Sequence, residues 1–231
     1  MVLQETFNWY LNYNPNTDSL RSSQLNKIIG EIEDEFINNF NSEKKIICIE
    51  TGASHNWDDG CVGAFFAKLC ELTNGEFYSV DINPELVNNS KILYDSLGFT
   101  NVTHHIDDSV NYLKNTEVIP NIVHLDSWDL NLRDPFPSAL HGWNEFLAIE
   151  DKMPLGSLLI VDDNYFNGTW VNWKNNRNDE EWDKVTINYP IVGKGSHIYS
   201  YVESGNSNWI KLSNDHIGTN EKLVYKKVKL C

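Results

Sequence analysis

At 231 residues the chain is long enough for one α/β domain with a full core, and a single domain over 1–231 is expected. Eighteen basic residues against thirty-three acidic ones give a formal net charge of −15, which repels a phosphate backbone and argues against a nucleic-acid partner. Four cysteines (Cys48, Cys61, Cys70, Cys231) make no CxxC pair, the N-terminus MVLQETFNWYLNY has no basic region followed by an apolar run, and no stretch approaches a membrane span, so a soluble, cytoplasmic protein without membrane contact is expected.

Residues 1–43 read as a helical extension ahead of a core at 44–231. Leu25, Ile28, Ile29, Ile32, Phe36 and Phe40 follow a helical period behind Ser22 and Ser23 as caps, an apolar stripe that packs on the domain or on a second copy, making a homo-oligomer. From Lys45 the pattern changes. Ile46, Ile47, Cys48 and Ile49 form a continuous apolar run closed by Glu50 and then Thr51-Gly52, which predicts a strand buried on both faces and ending in a ligand loop. Val62, Phe65, Phe66 and Leu69 recur at helical spacing, with Gly60 at the helix start. A second strand, Glu76 to Val80, ends at Asp81, placed to take the two hydroxyls of a ribose.

Strand, glycine loop, helix, strand and acid suit a dinucleotide or S-adenosylmethionine. The dinucleotide fingerprint needs three closely spaced glycines to seat a pyrophosphate, whereas Gly52 is followed by no further glycine until Gly60. Glu50-Thr51-Gly52 instead resembles the first motif of class I methyltransferases, an acid, any residue and a glycine, whose loop faces the methionine part of S-adenosylmethionine. The next elements keep that order. Asn83-Pro84 caps a helix with inner face Leu86, Ser90, Leu93, Tyr94 and Leu97, closed by Gly98. Asn101 to Ile106 is a third strand, followed by Asp107-Asp108-Ser109 and a short helix through Leu113. The resemblance implies that Asp108 contacts the adenine amino group and Ser109 the helix end beside it; either residue also suits an N-cap.

Ile122 to Leu125 is the fourth strand, running into Asp126-Ser127-Trp128-Asp129 and placing carboxylates beside the cofactor. A helix over Phe136 to Lys152, a turn at Pro154-Leu155-Gly156 and a fifth strand, Ser157 to Val161, lead to Asp162-Asp163-Asn164. Tyr165 to Asp183 is polar and aromatic at once, with Phe166, Trp170, Trp173 and Trp182, and a connection of that length is commonly functional: a pocket for a sugar or planar ring, or a surface excursion anchored by tryptophans. Ile191 to Gly195 reads as a loop, Ser196 to Glu203 as a helix closed by Gly205, and Trp209 to Leu212 with Leu223 to Val228 as an antiparallel pair. The fold class expected is α/β: a Rossmann-like, seven-stranded, mostly parallel sheet with a C-terminal antiparallel hairpin.

Acids after the fourth and fifth strands need a counter-ion, and carboxylates with an amide suit Mg²⁺ or a similar hard divalent ion. Here the chain resembles metal-dependent O-methyltransferases. In the type that methylates antibiotic sugars, the ligands correspond to Asp126, Asp162 and Asp163; in the catechol type the last pair corresponds to Asp163 and Asn164. The aminocoumarin-sugar enzymes carry a second aspartate where this chain has Trp128, so the general base falls to Asp129 or to His141 on the following helix. What the resemblance implies is methyl transfer from S-adenosylmethionine to a hydroxyl of a small-molecule acceptor, a saccharide or other polyol, with a catechol or phenol as the alternative acceptor. A module that binds S-adenosylmethionine and acts through a partner is the alternative outside catalysis.

Overall fold

The computed structural model describes residues 2–14, 25–26, 28–30, 45–57, 61–173, 183–213 and 220–229. The apolar run after Lys45 forms β1 (Ile47–Thr51), and four of its five residues are buried. It lies between β2 (Glu76–Asp81) and β4 (Ile122–Leu125), parallel to both, while β3 (Val102–Ile106) extends the sheet past β2 and β5 (Leu158–Phe166) extends it past β4. Beyond β5 the direction reverses. β10 (Asn220–Lys227) pairs antiparallel with β5, and β9 (Trp209–Lys211) pairs antiparallel with β10, so the sheet order is β3-β2-β1-β4-β5-β10-β9. The seven strands and terminal hairpin expected from the sequence are all in place.

Helices cover both faces. Cys48, Ile122, Leu158, Ile160 and Val224 point to one side and pack with α2 (Val62–Leu72) and with Leu3, Phe7 and Tyr10 of α1 (Val2–Tyr13). Leu25, Ile28 and Ile29 of the extension are buried in this same cluster; Ile32, Phe36, Phe40 and the caps Ser22 and Ser23 lie outside the described residues. Tyr94 of α3 (Pro84–Ser96) closes the cluster beside Phe77. On the other face, Ile49, Val123, Leu125, Leu159 and Val161 pack with α4 (Ser109–Asn115), α5 (Phe136–Ile149) and α6 (Ser196–Glu203) through Leu113, Phe146 and Ile198. Each such fully buried side chain contributes roughly 1.5–3 kcal/mol. No helix among the described residues is long and apolar enough to cross a membrane.

Two expectations are corrected. The fifth strand does not end at Val161 but runs through Asp162-Asp163-Asn164 to Phe166, because Ile191–Gly193, expected as loop, forms β8 and pairs antiparallel with Asn164–Phe166. The acids therefore belong to the strand. The aromatic stretch after it is not one irregular connection either: β6 (Trp170–Trp173) pairs antiparallel with β7 (Asp183–Thr186) in a separate two-stranded sheet. Its Val171 and Val185 pack on Leu130 and Leu132, beside the end of β4. Trp170 is no anchor; it is 57% exposed, with the Lys184 ammonium 4.2 Å from its ring centre, and Trp182 lies outside the described residues.

Candidate active site

The carboxyl ends of β1, β2 and β4 meet at Gly52. Its φ of +83° falls in the left-handed region, and a Cβ there would stand 2.5 Å from the Asp126 carbonyl oxygen, so only glycine lets the loop cross this close to β4. Glu50 is fully buried beneath the loop and holds it from below: Ser54 Oγ donates to Glu50 Oε1 (2.8 Å) and accepts from the Gly63 amide of α2 (3.1 Å). Glu50 thus acts on the crevice through Ser54, while Gly60 lies outside the described residues.

Asp81 ends β2 with both carboxylate oxygens fixed by backbone. The Ala53 amide donates to Oδ2 (3.0 Å) and the Asn83 amide to Oδ1 (2.8 Å), tying the acid to the loop after β1 and to the start of α3. Asp108 is exposed and caps α4, accepting from the Asn111 amide at 2.9 Å. Ser109, the first residue of that helix, is buried, and its Oγ lies 2.9 Å from His141 Nε2. Ser127 Oγ donates to the buried Glu145 at 2.6 Å, and His141 stands 3.7 Å from the same carboxylate. Of the two base candidates, His141 therefore belongs to a wall with Ser109, Ser127 and Glu145, and Asp129 is exposed beyond Trp128, whose backbone turns left-handed at φ 61°.

At the end of β4 and in the middle of β5 the charges are met by lysines. Lys194, in the turn between β8 and α6 and 3% exposed, donates to Asp126 Oδ1 (2.7 Å) and Asp126 O (3.1 Å), and its Nζ is 3.0 Å from Asp163 Oδ2. Lys222 of β10 pairs with Asp162, both fully buried, and its Nζ lies 3.5 Å from His124 Nε2. Glu50, His124, Asp162 and Lys222 stand on one face of four adjacent strands, with Glu50 beside His124 in register and its Oε1 3.5 Å from His124 Nδ1. Burial holds the His124 imidazole below its ordinary value against the pull of Glu50, keeping it neutral. Asp126 keeps about a quarter of its side chain, 26%, open. Removal from bulk water pushes its carboxyl up to about 7, opposed by Lys194 and reinforced by Asp162.

These residues do not fit the divalent ion that the resemblance implies. His124, Asp126 and Asp162 bring ligand atoms within 4.8 Å of one another. The Lys222 ammonium, however, is bound to Asp162, and that of Lys194 to Asp126 and Asp163. A divalent ion could reach these carboxylates only by displacing the two buried ammonium groups that already supply their counter-charge. Asn164, the other ligand candidate, is buried, with its amide donating to Val161 O and Asp162 O and its oxygen accepting from the Gly195 amide. Sequence reading missed both lysines, His124 and Glu145. The usable signal was electrostatic: buried acids demand cations, and Lys194 sits between two glycines in a chain poor in basic residues.

No family model matches the chain, and no curated protein matches it. Solved structures do. An S-adenosylmethionine-dependent methyltransferase from Clostridium acetobutylicum ATCC 824 superposes with a TM-score of 0.54 at 13% identity, covering 98% of this chain and 99% of that one. An rRNA methylase from Streptococcus thermophilus gives 0.52 at 12% identity, over 85% of this chain and 93% of its own. A Streptococcus mutans protein solved in complex with SAH gives 0.52 at 11% identity, over 84% and 97%. At these identities the likeness is one of fold, and the fold of this chain is that of the class I S-adenosylmethionine-dependent methyltransferases.

Proposed function

We propose that the chain transfers the methyl group of S-adenosylmethionine to a hydroxyl of a small, uncharged acceptor, a saccharide or other polyol. The observation that carries this reading is Asp81, locked at the end of β2 by the Ala53 and Asn83 amides beside the Gly52 crossing, where an acid can accept from ribose hydroxyls. Gly52 and Ser54 line the cofactor's expected path toward β4, and Asp108 and Ser109 mark its adenine end. The edge beyond is rich in negative charge: Asp126, Asp162 and Asp163 are paired with two lysines, Lys194 and Lys222, and Glu50 lies against the neutral His124, which favours a sulfonium.

Methyl transfer breaks the sulfur–methyl bond as the acceptor oxygen bonds the same carbon, and the acceptor's proton must leave. Asp126 is the base in this reading. It is at the β4 end, partly open, and its carboxyl near 7 suits taking a proton at neutral pH. His141 and Asp129 then serve the wall and the rim. No divalent ion takes part, since the donors are already bound to lysine. Although the fold neighbours include rRNA methylases, the net charge of −15 and the acidic edge favour a neutral small acceptor.

Calorimetry with S-adenosylmethionine, followed by transfer of labelled methyl to a panel of saccharides, polyols and catechols, tests the reading. Binding with turnover on a polyol is the expected result. Turnover confined to catechols reassigns the acceptor, binding without turnover on any of them supports a cofactor-binding module, and absence of binding overturns the reading.

A further inference from the structure

The fold goes to some length to deliver Lys194. Gly193, just before it, has φ +138°, and a Cβ there would collide with the Asp163 carbonyl oxygen, so β8 reaches β5 closely enough to carry the lysine inward only through a glycine. Asp163 is itself left-handed at φ 54°, and this turns its side chain toward the ammonium. The Gly195 amide, just after the lysine, is fixed by Asn164 Oδ1 at 2.8 Å. The result is a nearly dry cation that contacts the Asp126 carboxylate after β4, the Asp163 carboxylate within β5 and the Asp126 carbonyl, at 2.7, 3.0 and 3.1 Å. Burial alone would lower its pKa, but Asp126, Asp163 and Asp162 raise it well above the ordinary value, so the charge is permanent.

We propose that Lys194 is a resident cation that stands in place of a divalent ion between the end of β4 and the middle of β5, and that it is a positioning residue, fixing the Asp126 carboxylate for the proton it accepts. The first half stands on the geometry alone; the second rests on the methyl-transfer reading. A lysine is suited to this task because its three ammonium protons match the three oxygens it meets, and the chain then needs no metal supply to neutralise Asp126 and Asp163.

The test has two separable arms. Purified protein, dialysed against a chelator, is titrated with Mn²⁺ alone and followed by electron paramagnetic resonance and thermal melting. Wild type is expected to take up no Mn²⁺ saturably at millimolar concentration and to melt at an unchanged temperature. Saturable uptake that Asp126→Asn removes would overturn the resident-cation assignment, whatever becomes of the cofactor reading. In the second arm, Lys194→Met and Lys194→Arg are compared with wild type by cofactor calorimetry and steady-state kinetics on whichever acceptor wild type turns over. Lys194→Met is expected to bind S-adenosylmethionine within about twofold of wild type while kcat falls about 100-fold, the scale of losing a positioned base, and Lys194→Arg to recover part of that loss. Equal kcat in Lys194→Met, or a loss confined to KM, overturns the positioning role. Should Lys194→Met fail to fold, the arginine variant carries this arm: full wild-type chelation resistance with a lowered kcat supports the proposal, and a gain of activity on adding Mn²⁺ to it overturns it. Wild type that binds no S-adenosylmethionine sinks the methyl-transfer reading and leaves the Mn²⁺ arm intact.

Discussion

The two halves of the crevice edge solve the same electrostatic problem by different means. At the end of β2, Asp81 is satisfied by the amides of Ala53 and Asn83, partners close in space to any chain with this strand–loop–helix pattern. At the end of β4 and in the middle of β5, Asp126, Asp162 and Asp163 are satisfied by ammonium groups that arrive from β10 and from the turn after β8. The first half is built from backbone donors, which remain in place when a neighbouring side chain is truncated. The second is built from buried ion pairs, in which the loss of one partner strands the charge of the other.

That contrast predicts the largest effect for Lys222. Replacing it with methionine keeps the stem's volume but leaves the fully buried Asp162 without its cation, and breaking a buried pair in this way costs about 3–5 kcal/mol. Urea denaturation of Lys222→Met against wild type measures it. A loss below about 1 kcal/mol would mean that the acid takes up a proton or finds other partners at little cost, and the two halves would then differ less than the geometry implies.

Legibility in the sequence follows the same division. The succession of strands and helices along the chain, the closing antiparallel pair, the Asn83-Pro84 cap and the place of Asp81 at the end of β2 were readable because each depends on residues close in sequence. The course of β5 past Val161 was not, since it depends on pairing with β8 nearly thirty residues downstream, a distance set by Asn164 meeting Gly193 in register. Lys194 and Lys222 were passed over for the same reason: they read as a loop residue and as the flank of a strand, while their acids lie 68 and 60 positions away. The resemblance to metal-dependent enzymes correctly located a cluster of acids needing positive charge, but nothing local to Asp126 or Asp162 says whether an ion or an ammonium supplies it.

The next effect in size is one of pH. Asp126 is raised from an ordinary 3.8 to about 7 in the folded protein. A carboxyl whose folded pKa lies above its unfolded one favours the folded state while protonated, so its contribution is complete below about pH 4 and is lost as pH rises through 7. The shift sets an upper bound of about 4 kcal/mol for this single group. Denaturation midpoints collected across that range should fall more steeply for wild type than for Asp126→Asn; parallel curves would show that the carboxyl titrates normally and that Lys194 balances its burial completely. Smaller again is the loss expected at the other half. Asp81→Ala should weaken S-adenosylmethionine by about 1.5–3 kcal/mol, the worth of a hydrogen bond to a charged group. Unchanged affinity by calorimetry would remove Asp81 from the cofactor site.

The smallest predicted effect discriminates most sharply between the halves. Asn83 does two things at once: its side-chain oxygen accepts from the Glu85 amide at 2.9 Å, capping α3 ahead of Pro84, and its own amide donates to Asp81. Asn83→Ala removes the cap and keeps the amide. Stability should therefore fall by about 1 kcal/mol, the typical worth of an N-cap, while Asp81 stays anchored and S-adenosylmethionine affinity remains within about twofold, under 0.5 kcal/mol. At the acceptor half no single change can separate stability from site geometry in this way, because the Lys194 side chain that neutralises Asp126 is also the group that holds it. If Asn83→Ala lowers cofactor affinity as much as Asp81→Ala does, the Asp81 carboxylate depends on the cap after all, and the cofactor half is no more modular than the paired acids across the crevice.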